Sequence, residues 1–199
     1  MTVTNLLPGT GSDGGLLTPF FLATTNGSYD FFDVGSAASA SLESLAEDGN
    51  TQPRIDAAIA SGGVGAATST SGGPIAPGDS RTVTFYATST DQLTRYLSYA
   101  SMVIPSNDAF IGNDDPLQLD LFDADGNLIT RVGNNAFIVT GDDVYDAGTE
   151  VNDEAAANTP LLGQSAPNTS TTENGVITQH PGLLGSTRQG SADGAAQTS

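Results

Sequence analysis

Apolar positions come in short runs separated by polar, glycine-rich turns. TVTNLL near the amino terminus and LLTPFFLA from Leu16 read as two strands joined by PGTGSDGG, with Pro19 marking an edge or a bulge. Two segments switch to helical spacing. Residues 31–48 end in a pattern that puts Leu42, Leu45 and Ala46 on one face, with Gly49 as a stop. TQPRIDAAIASGG is a second short helix, with Pro53 near its first turn and Gly62 beyond its end. Residues 62–80 hold little but Gly, Ala, Ser, Thr and Pro and read as a long loop.

Strand patterns then dominate. RTVTFYATS (81–89) alternates, and QLTRYLSYASMVI (92–104) is a long run that is strand-like at its end. LQLDLFDADGNLITRV (117–132) reads as a hairpin around Asp125-Gly126. AFIVT (136–140) is strand-like, and VITQHPGLLG (176–185) is a last strand and turn. Between them, 155–175 is a second long loop, and 191–199 is a frayed tail. Seven or eight strands with two short helices, and no alternation of strand with long helix, predict one all-β domain over 1–190, an antiparallel β-sandwich. Tyr96, Tyr99, Phe110, Phe122 and Phe137 are its expected core aromatics.

Charge narrows the function. Net charge is −18, from 23 acidic residues against five arginines (54, 81, 95, 131, 188) and no lysine. Electrostatic binding to nucleic acid or to an anionic membrane is thereby disfavoured, and cations are the natural counterions. No apolar run nears the roughly 18 residues of a spanning helix, so membrane insertion is not expected. Without cysteine there are no disulfides, thiolate metal sites or cysteine nucleophiles. The acidic surface suits an extracellular or high-salt medium. The chain opens on a strand-like segment rather than a signal peptide.

Catalytic signatures are weak. His180 is the single histidine, with no suggested orienting partner, and no Gly-x-Ser-x-Gly is present. Acidic pairs abound in any such chain and do not discriminate a hydrolase.

Oxygen ligands for a metal are plentiful. DADGNL (123–128) matches the first half of a helix-loop-helix calcium loop, but the twelfth position is Asn134 rather than Glu, and the flanks are strand-like. A hairpin turn with Gly126 at positive φ is the preferred reading. Two other stretches stand out. SMVIPSNDAFIGNDD (101–115) runs an apolar strand into Asp108. VYDAGTEVNDE (144–154) sets Asp146 and Glu150 four apart around Gly148. Three carboxylates from two neighbouring loops would suit calcium, which takes about six to eight oxygen ligands.

The motif VIPSNDAFIGNDD resembles the strand-and-loop of the spondin domain family of F-spondin and mindin type, and YDAGTE resembles its Trp/Tyr-Asp-Ala-Gly-Thr-Asp. TVTNLL, LLTPFFLATTNGSYDFFDVGSAAS and LESLAEDG resemble microbial members. The resemblance covers residues 1 to about 155 and implies a β-sandwich with one calcium ion held by Asp108, Asp146 and Glu150. Glu150 stands where the family has Asp, the animal family's cysteines are absent, and Ala109 precedes the aromatic Phe110. The function expected is a non-catalytic, calcium-binding extracellular module of cell-surface or matrix adhesion, whose partner is a polysaccharide, a cell-surface component or a second copy. A calcium-dependent filament or surface-layer subunit is the first alternative, and a hydrolase using an acidic pair the second.

Overall fold

A computed structural model describes residues 1–12, 14–130, 136–153, 155–167 and 169–180. Its strands are β1 (Thr2–Thr4), β2 (Leu16–Leu17), β3 (Phe21–Thr25), β4 (Val64–Ser69), β5 (Ser80–Thr82), β6 (Tyr96–Ile104), β7 (Ala109–Gly112), β8 (Val144–Asp146) and β9 (Thr178–Gln179). Helices α1 (Ala40–Asp48) and α2 (Gln52–Ala60) lie between β3 and β4. Seven strands form one antiparallel sheet in the order β4-β3-β6-β7-β8-β9, with β2 paired to the far end of β6. β1 and β5 form a separate pair. The all-β, sandwich-like class expected from the sequence stands.

The sheet is buried on both faces. Phe21, Ala23, Ala100 and Phe110 point to the side where Leu42, Leu45, Ala46 and Ala58 of the helices pack, along with Phe31, Phe32 and Ile177. Leu22, Tyr99, Val103, Ala109 and Ile111 point the other way, toward Leu17, Phe20, Ile75, Leu119 and Val144. A strand covered on both sides has no polar face to alternate with, so β6 reads as a long, mostly apolar run interrupted only by the buried Ser98 and Ser101.

Both helices end as their residues require. Ser39 accepts the Leu42 N–H at 3.3 Å as the N-cap of α1, and Gly49 closes the helix in the left-handed region at φ 64°. Arg54 of α2 is buried. It donates to the Phe31 carbonyl at 2.9 Å and lies 5.1 Å from the centre of the Phe31 ring, pinning α2 to the segment after β3.

Four expectations need correction. Residues 62–80 are not all loop, because 64–69 form the edge strand β4. Its Gly65 leaves room for the neighbouring backbone: a Cβ there would stand 2.7 Å from the Leu93 carbonyl oxygen. Of 81–89, only the first two residues are strand, where β5 pairs with β1. Val83 and Phe85 pack on the second core outside the strand proper, Val83 exchanging backbone hydrogen bonds with Met1 at 2.9 and 2.7 Å, and Tyr86 is 92% exposed. AFIVT (136–140) forms no strand and leads into a 3-10 turn capped by Thr140. Phe137 is therefore not core: it is 37% exposed and meets Tyr99 edge-on at 5.7 Å. Tyr99, Phe110 and Phe122 are buried as expected, and Tyr96 is half-buried.

The turn reading of DADGNL fits the structure. Asp123 accepts the Asp125 N–H at 3.0 Å and the Asn127 N–H at 2.8 Å, and Gly126 has φ 80°. Phe122 and Leu128 bridge across the turn. Asn134 and the end of that stretch, 131–132, lie outside the described residues, as do 181–185 and the tail. Among the described residues, no helix is long and apolar enough to cross a membrane.

Candidate cation site

Two loops meet at the end of β6, β7 and β8. The first turns at Pro105-Ser106, where the Ser106 hydroxyl donates to the Val103 carbonyl at 2.6 Å and accepts the Ala109 N–H at 3.1 Å. That hydroxyl closes the turn, and Asp108 sits within it, fully buried. β7 pairs with β8 so that Ala109 faces Asp146, which brings the second loop alongside the first.

Loop 146–150 wraps around the Asp108 carboxylate. Asp108 Oδ2 accepts the Thr149 N–H at 2.7 Å, the Glu150 N–H at 3.1 Å and the Thr149 hydroxyl at 3.1 Å. Charged acceptors make such bonds short and strong. Gly148 permits the wrap: its φ is 66°, and a Cβ there would meet the Val176 carbonyl oxygen at 2.6 Å. The loop's other side is tied to 171–177, with Glu173 N–H donating to the Thr149 carbonyl at 2.9 Å and Gly175 N–H to the Gly148 carbonyl at 2.7 Å.

The three expected ligands are placed differently. Asp108 and Glu150 come together in the interior. Glu150 is only 4% exposed, and its Oε2 has no hydrogen-bond partner among the described residues. Asp146 is half-buried and engaged within its own loop, where Oδ1 accepts the Gly148 N–H at 2.7 Å and Oδ2 the Asn152 amide at 2.5 Å. Among the described residues, no three His, Cys, Asp or Glu side chains form a ready-made metal cluster.

One acidic residue escaped the sequence reading. Glu47, in the last turn of α1, is 4% exposed. The apolar stripe of Leu42, Leu45 and Ala46 gave no reason to bury its neighbour, and the adjacent Asp48 and Gly49 made the stretch look like a solvated helix end. Burial pushes the Glu47 carboxyl up to about 7, opposed by a Thr149 hydrogen bond and reinforced by Glu150, Glu43 and Asp48. Glu150 is likewise pushed up to about 7, first by burial, then by Asp108, Asp48 and Asp153, against a lowering contact from Ser170.

No described arginine offsets this charge. Arg54 serves Phe31 and Tyr29, Arg81 bonds the Ser80 carbonyl, and Arg95 pairs with Asp120. Glu47 and Glu150 are buried with no described arginine beside them, and burying a charge without compensation is costly. The donor set is all oxygen, which suits a hard cation of the calcium kind. The donor chemistry suits such an ion, and Asp108 with Glu150 would supply part of its shell, although the three expected carboxylates are not gathered into one cluster.

His180 is buried, and its backbone N–H donates to the Val144 carbonyl at 2.8 Å, extending the strand pair β8–β9.

A family model described as Spondin_N matches residues 16–179. The chain belongs to the Spondin_N family. The match takes in both loops of the site, helix α1 and the whole seven-stranded sheet. Spondin domains are typically extracellular, non-enzymatic modules of the adhesion type. No curated protein matches the sequence.

Proposed function

We propose that this spondin domain is a calcium-binding extracellular module of cell-surface or matrix adhesion, without catalytic activity. The observation that carries the reading is the buried Glu150 Oε2, unpartnered beside buried Asp108, with every described arginine committed elsewhere. Asp108, Asp146 and Glu150 would hold the ion. Bound calcium would neutralise their charge and fix the two loops in one arrangement. Asp146 would join by exchanging its contact with Asn152 for the metal. A polysaccharide, a cell-surface component or a second copy would then read the ordered loop end. Domain membership, the net charge of −18 and the meeting of Asp108 with Glu150 support this reading.

Calorimetric titration with calcium chloride tests it. Saturable binding is expected for the wild type, and Asp146→Asn should bind about tenfold more weakly or worse. A flat titration of the wild type at millimolar calcium would refute the reading. For adhesion, the protein should stay on a polysaccharide or cell-surface preparation in calcium and leave it in chelator. Equal retention in both would remove the role of the ion.

A further inference from the structure

The turn that leaves β3 carries a motif that the cation site does not use. Asn26-Gly27-Ser28 has the Asn-x-Ser pattern of an N-glycan acceptor, with a residue other than proline in the middle. A second such triplet starts at Asn168, outside the described residues. Asn26 and Ser28 are both exposed.

The turn orients the acceptor amide. Asn26 Oδ1 accepts the Ser28 N–H at 2.9 Å and the Ser28 hydroxyl at 2.7 Å. These two bonds occupy both lone pairs of that oxygen. They polarise the amide toward oxygen, which eases loss of a proton from the nitrogen. Asn26 Nδ2 itself makes no hydrogen bond among the described residues, so substituting it breaks no contact there. Two glycines make room for this geometry. Gly27 has φ 83°, and a Cβ there would collide with the Leu117 side chain. A Cβ on Gly63 would stand 2.5 Å from Ser28 Oγ and 3.1 Å from Asn26 Oδ1. The Asn26 N–H donates to the Gly63 carbonyl at 3.0 Å, which fixes the turn beside the start of β4.

The turn lies at the far end of the sheet from the cation loops. Thr25 pairs with Tyr96 at the start of β6, whereas the Pro105-Ser106 turn follows its last residue, Ile104. At roughly 3.3 Å per residue, β6 separates the two ends by about 26 Å. A bulky, hydrated group at Asn26 would therefore leave the loop end open to a partner.

We propose that Asn26 is an N-glycosylation site. The donor class is an oligosaccharide carried on a lipid phosphate. Asn26 Nδ2 bonds to the anomeric carbon of the sugar, and the bond from that carbon to the phosphate oxygen breaks. The lipid phosphate leaves with the electron pair, and one amide proton passes to a base of the transferring enzyme. This rests on the extracellular part of the reading above and is independent of calcium.

Peptide mapping by mass spectrometry tests it, on protein recovered from both the medium and the interior of the cells that naturally make it. The peptide holding Asn26 should carry the added mass of an oligosaccharide and lose it on treatment with an N-glycan-releasing amidase. Ser28→Ala should abolish the modification, and Ser28→Thr, which keeps the pattern, should retain it. Unmodified Asn26 in protein recovered outside the cell, or a glycan confined to Asn168, would overturn the site and leave the extracellular reading standing. Unmodified protein found only inside the cell would overturn both.

Discussion

At the scale of single residues, the loop end is governed by one glycine and a few acids. Gly148 combines φ 66° with a Cβ position 2.6 Å from the Val176 carbonyl oxygen. Gly148→Ala therefore meets both strain and a backbone clash, and should destabilise the fold by about 2–3 kcal/mol in urea denaturation. The two buried glutamates make a second prediction. Their folded-state values rise from 4.5 to about 7, so the folded state binds protons more tightly than the unfolded chain. That contribution is fully present below 4.5 and is lost as pH rises through about 7. In chelator, these two groups should make the melting temperature fall across that window, and calcium should flatten the fall. The groups acting on Glu47 are Thr149, Glu150, Glu43 and Asp48, and those acting on Glu150 are Ser170, Asp108, Asp48 and Asp153. The meeting of Asp108 with Glu150 was legible in the sequence through the two loop motifs. Glu47 was not, since nothing in the helical pattern around it gives a reason for its burial.

At the scale of elements, legibility followed the strength of local signals. Both helices were marked by Gly49 and Pro53 and by an apolar stripe, and both formed. β6 was marked by a long, mostly apolar run. β4 was hidden, because an edge strand that packs closely on its neighbours uses Gly, Ala, Ser and Thr, the same residues as a loop. AFIVT misled in the other direction: its apolar pattern fits a strand, but Ile138 is exposed and the 3-10 turn at 141–143 intervenes before β8. Helix α2 is held by a contact that no periodicity reveals. Arg54 donates to the Phe31 carbonyl from the interior. Arg54→Ala should cost about 3 kcal/mol by leaving that carbonyl and the Tyr29 hydroxyl short of a donor. Arg54→Lys should recover only part of it, since an ammonium lacks the planar fork. Guanidinium denaturation of the two variants checks this.

At the scale of the whole molecule, a charge of −18 sits on a fold with both sheet faces buried. Self-repulsion of that charge weakens as salt shortens the screening length from about 30 Å at 0.01 M to about 8 Å at 0.15 M. Sodium chloride should therefore raise the melting temperature gradually and without saturation. Calcium should act differently, at far lower concentration and with saturation, because it binds the folded state at one place. The most direct measurement of the central claim is thermal melting in chelator and in millimolar calcium at constant ionic strength. A saturable rise of several degrees is expected, corresponding to about 2.7 kcal/mol at 100 times the dissociation constant. Superimposable melting curves in chelator and in calcium would contradict the cation site.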